Sequence, residues 1–326
     1  MSNYVLQKEE FSAFFSQVSE NYDFIAPIKG KETSFEKVTN DDMLNLIEWD
    51  ELPLFPIKHF FQPKDEPIFK YDKTTAKDVN SKPRKTVLFG LRLCDLNAIH
   101  HRDMALMNED FTDPFYKERR ENSILIGLHC KKGDEYCFCG DMDLHDFFDL
   151  MLYEHDECFI IETKTDKGLK FAKKITALDR TDKAIHANDR ITENNTRIDK
   201  EKMNKIADFF TSEKWEEGSK LCLSCTACNM LCPSCYCFEF TDEPELVLLH
   251  KGQRMRNISS CQLKCFTRVA GDFVFRKEKN DRFKHRIYHQ LQYFKEKHGV
   301  TLCVGCGRCI RGCPKRIDWV DILNKM

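Results

Sequence analysis

The sequence lacks the features that would assign it to several common classes of protein. Its 51 Lys and Arg residues nearly balance 53 Asp and Glu residues, so the net charge of -2 gives no general attraction to nucleic acid. No stretch approaches the roughly 18 apolar residues that cross a bilayer, and the N-terminus lacks the apolar segment of a signal peptide. We therefore expect a cytoplasmic protein with no membrane insertion and no nucleic-acid partner.

Motifs of substrate-transforming enzymes are missing as well. The chain contains no GxGxxG dinucleotide fingerprint, no P-loop and no HExxH zinc motif. We therefore expect no catalytic residues in this chain, and any redox role has to come from groups that it binds.

Cysteine, in contrast, is abundant, with 17 residues in a chain of 326. A reducing compartment keeps thiols as metal ligands or reactive groups and disfavours disulfides. Four cysteines lie between residues 94 and 139, and most of the others follow residue 221. This clustering favours metal binding over a disulfide framework.

Two cysteine runs have the spacing of bacterial two-cluster ferredoxins. Residues 222–233 and 303–314 both match C-x2-C-x2-C-x3-C-P. In that pattern three thiolates surround one cluster and the fourth reaches the other cluster. The predicted ligands of one [4Fe-4S] cluster are Cys222, Cys225, Cys228 and Cys313, and those of the other are Cys303, Cys306, Cys309 and Cys232. Zinc also binds paired C-x2-C, but it needs only four thiolates and no trailing proline.

Four earlier cysteines, Cys94, Cys130, Cys137 and Cys139, are candidates for a third [4Fe-4S] cluster. Cys94 and Cys130 each follow an apolar run, TVLFGL (86–91) and SILIGL (123–128), that we interpret as a strand. In α/β sheets, sites form beyond the carboxyl ends of the strands. The alternative is a set of buried structural thiols, since free cysteine is often buried.

Three further cysteines, Cys235, Cys237 and Cys261, stay open to several interpretations. They could line the cluster cavity, bind a further metal or act as redox thiols, and their spacing does not choose among these. Cys158 and Cys265 are interpreted as ordinary thiols.

The pattern of elements predicts an α+β chain of two domains. Residues 1–196 alternate apolar strands with helical segments in the manner of βαβ units, and the polar stretch 179–196 is interpreted as a linker or a solvated connection. Residues 197–326 form the predicted ferredoxin-like dicluster domain, interrupted by a long helical insertion. That domain is expected to begin with an amphipathic helix from Ile198, and the insertion contains an expected helix at 281–298 that stops at Gly299.

Basic residues are concentrated between residues 251 and 297, where 13 Lys and Arg accompany four Asp and Glu. This excess could form a docking surface, or it could balance the negative charge of thiolate-bound clusters.

Several segments together resemble one known family. They are FGLRLCDLNAI (89–99), the Cys130 and CFC (137–139) pair, CPSCYCF (232–238), RMRNISSC (254–261), FTRVAG (266–271) and CVGCGRC (303–309). The chain resembles the family of A-type subunits of anaerobic sulfite reductases, which includes the beta subunits of cytosolic [NiFe] sulfhydrogenases. It departs from that family's pattern at Thr226, Ile258 and Asp272, where glycine, tryptophan and glycine are usual.

The resemblance implies an electron-relay subunit of a hetero-oligomer. Its partners would be a flavoprotein subunit, with FAD and NAD(P)H, and a catalytic subunit of sulfite reductase or hydrogenase type. Two alternatives belong to other classes, a stand-alone thiol/disulfide reductase that uses the extra cysteines and a zinc-binding interaction module.

Overall fold

The computed structural model describes residues 3–79, 83–190 and 192–326. Residue 191, within the predicted linker, lies outside this part. The strands are β1 (Asn3–Gln7), β2 (Asp23–Ile28), β3 (Ser34–Val38), β4 (Asp65–Tyr71), β5 (Ala76–Asp78), β6 (Thr86–Leu91), β7 (Ser123–Leu128), β8 (Leu150–His155), β9 (Cys158–Thr163), β10 (Asp179–Thr181), β11 (Phe238–Pro244) and β12 (Gly252–Ile258).

Short α-helices dominate the C-terminal part, and longer ones flank the strands of the N-terminal part. The helices are α1 (Phe11–Ser19), α2 (Lys58–Phe61), α3 (Leu93–Leu106), α4 (Pro114–Glu121), α5 (Asp166–Ala172), α6 (Lys200–Asn204), α7 (Trp215–Leu221), α8 (Ala227–Met230), α9 (Lys279–Tyr288), α10 (Phe294–His298), α11 (Arg308–Arg311) and α12 (Trp319–Asn324). No helix in the described ranges is both long and apolar enough to cross a membrane.

An eight-stranded sheet in the order β10-β1-β9-β8-β7-β6-β2-β3 organises the N-terminal part. Strands β8, β7, β6 and β2 run parallel, and the outer strands are antiparallel. The strands predicted at 86–91 and 123–128 are confirmed at both ends. All their residues are buried, because helices cover both faces of the sheet.

The two faces of this sheet have separate apolar cores. Phe89 and Ile126 pack with Phe14 of α1 and Phe171 of α5 on one face. On the other face the neighbouring side chains of β6 and β7 pack against α3 and α4. The mixture of helices and sheets predicted from the sequence is therefore present.

A second sheet joins the two halves of the sequence. Its strand order is β11-β12-β4-β5, and β12 pairs antiparallel with β4. The insertion between the cysteine runs is thus only partly helical, which corrects the predicted long helical insertion. Since a strand from each side of residue 196 enters this sheet, the division into residues 1–196 and 197–326 stays a prediction.

Helices around an apolar core form the C-terminal part, with Trp215, Tyr288 and Leu323 buried at its centre. The predicted helix at 281–298 is present as α9, one π-helical turn at His289–Tyr293, and α10. It ends at Gly299, whose φ of 79° is the left-handed conformation expected of such a stop. The single helix expected from Ile198 was wrong, because the segment breaks into α6, a 3-10 turn and α7.

Candidate iron–sulfur site

The two ferredoxin-type runs have the same backbone shape. In each run the residue before the second cysteine and the residue after it have positive φ, 52° and 69° at Ser224 and Thr226, and 66° and 67° at Gly305 and Gly307. A one-turn helix lies within each run and carries its third cysteine, α8 in the first run and α11 in the second. The similar sequence spacing therefore corresponds to two similar loops.

The second predicted ligand group is brought together inside the protein. Its members are Cys303, Cys306, Cys309 and Cys232. Each of these thiols is close enough to interact electrostatically with the other three. Burial, together with the neighbouring sulfurs, raises the pKa of Cys306 to about 12. Bound metal favours the thiolate form of its cysteine ligands, so these thiols fit a cluster that would take their protons.

The first predicted ligand group lines one open pocket of about 590 Å³. Its members are Cys222, Cys225, Cys228 and Cys313. Cys225 is exposed, and the neighbouring Leu223 has 59% of its surface exposed. Burial raises the pKa of Cys228 to about 12, although the nearby Arg286 opposes that shift. This group is therefore open to solvent at Cys225, whereas no member of the second group is exposed.

The N-terminal part covers the second run at residues 136–139. A Cβ at Gly305 would lie 2.7 Å from the backbone of Cys139, and one at Gly307 would lie 2.5 Å from the carbonyl oxygen of Tyr136. These two positions require glycine both for their positive φ and for this close backbone approach. Ser224 and Thr226 occupy the equivalent positions of the first run.

The four N-terminal cysteines gather at one edge of the large sheet. Because β6 and β7 are parallel neighbours, Cys94 and Cys130 follow strand ends on the same edge. Cys94 lies in the first turn of α3. Burial raises the pKa of Cys94, Cys137 and Cys139, that of Cys139 to about 11. Cys139 interacts with each of the other three thiols, because it adds to the shifts of Cys94 and Cys137 and Cys130 adds to the shift of Cys139.

This N-terminal group also touches the second ferredoxin-type run. The Cys137 thiol donates to the carbonyl oxygen of Cys306 at 3.5 Å. Cys94, Cys137 and Cys306 belong to one buried apolar cluster. The N-terminal thiols and the second ligand group are therefore direct neighbours.

Two residues of the polar stretch interpreted as a linker or a solvated connection contact these cysteines. Thr192 donates from its hydroxyl to the carbonyl oxygen of Cys130 at 2.6 Å. The Cys139 thiol donates to Oδ1 of Asn194 at 3.2 Å. Sequence reasoning missed Asn194, because nothing in a run of polar residues indicates which of them turns inward.

A buried ion pair fixes the second run against α3. Arg308 donates to both carboxylate oxygens of Asp95 at 2.8 and 3.0 Å, and both side chains are fully buried. Burial opposes the charge of Arg308, but Asp95, together with Cys306 and Cys94, raises the pKa of the guanidinium above its usual value. Arg308 also donates to the carbonyl oxygen of Pro53 at 2.6 Å.

Within the described ranges, no three His, Cys, Asp or Glu side chains converge closely enough to bind a single metal ion. This includes both ferredoxin-type groups, whose thiolates are expected to surround a cluster with one thiolate on each iron.

Paired ferredoxin-type loops on one helical core define a dicluster iron–sulfur protein. In agreement with this, residues 221–317 match the family model described as a 4Fe-4S dicluster domain. The chain is also 33% identical over 333 residues to Sulfhydrogenase 2 subunit beta of Pyrococcus furiosus, covering 98% of this chain and 97% of that protein. The chain belongs to the sulfhydrogenase beta-subunit family that its motifs resembled, and it is an iron–sulfur electron-transfer protein. No solved structure matches it.

Proposed function

We propose that this chain relays single electrons within a hetero-oligomer, between a flavoprotein subunit that binds FAD and NAD(P)H and a catalytic subunit. The catalytic subunit would be of [NiFe] hydrogenase or sulfite reductase type. The proposal rests on the arrangement of the thiol groups as neighbours. They form a series from the N-terminal sheet edge, through the buried second run, to the surface at Cys225. The name of the relative, a beta subunit, supports a larger assembly.

The proposed ligands of the two ferredoxin-type clusters are those expected from the spacing. One set is Cys222, Cys225, Cys228 and Cys313, and the other is Cys303, Cys306, Cys309 and Cys232. When bound, such clusters supply one-electron redox centres whose potentials depend on nearby charges, hydrogen bonds and solvent. Arg286 is one such nearby charge, and it is only 6% exposed. Burial opposes its positive charge, but the neighbouring Cys309 and Cys228 favour it.

Cys94, Cys130, Cys137 and Cys139 are proposed to bind a third [4Fe-4S] cluster. The central position of Cys139 among the other three supports this set. The Cys130→Ser variant of the full chain should lose about four irons, the content of one cubane, and keep its ferredoxin-type EPR signals. Unchanged iron in a folded C130S protein would instead identify these cysteines as structural thiols.

The relay itself is tested with the whole, anaerobically purified chain. Alone with NAD(P)H it should reduce neither its own iron nor sulfite, sulfur or protons, since the sequence has no dinucleotide fingerprint. Addition of the flavoprotein subunit should bleach the iron–sulfur absorbance. Turnover by the single chain would contradict the proposal in favour of a stand-alone reductase, and an EPR-silent zinc protein would contradict it in favour of an interaction module.

A further inference from the structure

A second pocket, of about 940 Å³, is lined by three cysteines outside the ferredoxin pattern. They are Cys235, Cys237 and Cys261, which two separate segments of the chain contribute. Cys235 and Cys261 are 6% and 4% exposed. Cys237 is close enough to interact electrostatically with both Cys261 and Cys235, so the three sulfurs lie in one small region.

Buried amide groups direct their N–H donors at these sulfurs. Asn229 donates from Nδ2 to the sulfurs of Cys261 at 3.3 Å and of Cys235 at 3.6 Å. Gln290 donates from Nε2 to Cys235 at 3.3 Å. Both amides are at most 2% exposed. Such donors stabilise negative sulfur, and they are a means by which proteins adjust metal–thiolate centres.

Two buried cations from the N-terminal part also face this region. Lys58 and Arg102 are 4% and 0% exposed, and neither forms an ion pair with a carboxylate in the part of the chain that the structure describes. Arg102 donates to the carbonyl oxygen of Cys235 at 3.0 Å. Burial lowers the pKa of Lys58, while the charges of Cys235 and Cys232 oppose that shift. To stay charged, buried cations without carboxylates require another negative group nearby.

Neutral groups would not meet that requirement. Protonated thiols carry no charge, and a disulfide between Cys237 and Cys261 would carry none either. A metal–thiolate centre with net negative charge accounts for the cations and for the amide donors together.

We propose that Cys235, Cys237 and Cys261 hold a further iron–sulfur cluster of the cubane class, separate from the sites assigned above. Three cysteines leave one iron for a ligand of another type. The pocket offers His285 and His289, whose rings stack with centroids 5.8 Å apart. The neighbouring Cys232, hydrogen-bonded to Cys235, connects this site to the second ferredoxin-type group.

The test is metal and sulfide analysis of the full-length chain, purified without oxygen, as wild type and as C237S and C261S. Each variant should lose about four irons and as many sulfides, together with one EPR component, while the ferredoxin-type signals remain. The matched control is C265S, which changes an exposed cysteine outside the pocket. The iron lost in C261S should add to the iron lost in C130S when both substitutions are combined. This proposal and that of the N-terminal cluster can therefore fail separately.

A variant that spares the thiols covers the case in which both cysteine variants fail to fold. Arg102→Met should retain all iron and shift the reduction potential of one component to more negative values, because the lost cation favoured the added electron. Unchanged iron in folded C237S and C261S would overturn the proposal. So would loss of zinc in place of iron, a Cys237–Cys261 disulfide in the isolated protein, or unchanged potentials in R102M.

Discussion

Thr226 has the backbone conformation that Gly307 has at the equivalent position of the second run. Its φ of 69° is in the left-handed region, which costs roughly 1–2 kcal/mol for a residue with a Cβ. Thr226→Gly removes that cost, and the greater freedom of glycine in the unfolded chain takes back about 0.5–1 kcal/mol. We expect T226G to be more stable by about 0.5 kcal/mol in anaerobic urea unfolding.

The control for this substitution is Thr211→Gly, at an exposed threonine without positive φ. Only the entropic cost of glycine applies there, so T211G should be less stable than wild type. Equal destabilisation by both substitutions would mean that the left-handed conformation of Thr226 stores no strain.

We expect a partly buried histidine to make stability depend on pH. Burial, with the neighbouring charges of Lys58 and Arg102, lowers the pKa of His59 from 6.5 to about 4. Between these values the unfolded chain binds a proton that the folded chain does not, so stability falls as the pH decreases. His59→Gln should weaken this dependence, measured as urea midpoints above and below pH 6.5. An unchanged slope in H59Q would assign the acid sensitivity to other groups.

At the scale of elements, the sequence predicts best what is locally determined. Strands β6 and β7 are fully buried, so each reads as an uninterrupted apolar run with clear ends. The stop at Gly299 is equally local. The pairing of β12 with β4 joins residues nearly 190 positions apart. Most residues of β11 and β12 are polar, so these strands lack an apolar pattern. No pattern within either strand specifies that partner.

The features of the candidate site also divide into those that local sequence predicts and those that depend on tertiary packing. Cysteine spacing defines the ferredoxin-type groups, because the ligands of each run lie within a single loop. The approach of residues 136–139 to Gly305, and the hydrogen bond of Asn194 with Cys139, depend on tertiary packing. Spacing alone could not reveal either contact.

A buried ionic group holds β12 to the N-terminal part. Arg256, 5% exposed, contacts the carboxylates of Glu66 and Asp113, which are similarly buried. Arg256→Met leaves these carboxylates without that partner, and we expect a loss of about 3–5 kcal/mol in the free energy of unfolding.

The matched control lies on the same strand. Arg254 pairs with Asp242 at 2.6 Å, but both side chains are more than 40% exposed. Arg254→Met should therefore cost less than about 1 kcal/mol. Similar losses in R256M and R254M, measured by urea unfolding without oxygen, would contradict the assigned role of the buried group.

At the scale of the whole molecule, the thiol groups differ in their distance from solvent. The first run is open at Cys225, whereas Cys306 is 8% exposed beneath residues 136–139. We expect controlled oxidation with ferricyanide to destroy the cluster of the first run before that of the second. EPR of samples frozen at successive times, with parallel iron analysis, measures this order.

An untreated anaerobic sample is the control for spontaneous iron loss. Simultaneous decay of both ferredoxin-type signals would show that solvent access does not determine the order. The earlier loss of the second-run signal would show that the exposed first run is protected in some other way.

The cover formed by residues 136–139 also bears on how the holoprotein is made. A cluster for the second run has to arrive before the N-terminal part closes over Gly305 and Gly307, since their backbones then lie against that segment. The first run remains reachable in the finished chain. We therefore expect the cluster of the second run to be inserted earlier in biogenesis, and that of the first run to be the more easily replaced of these two after oxidative damage.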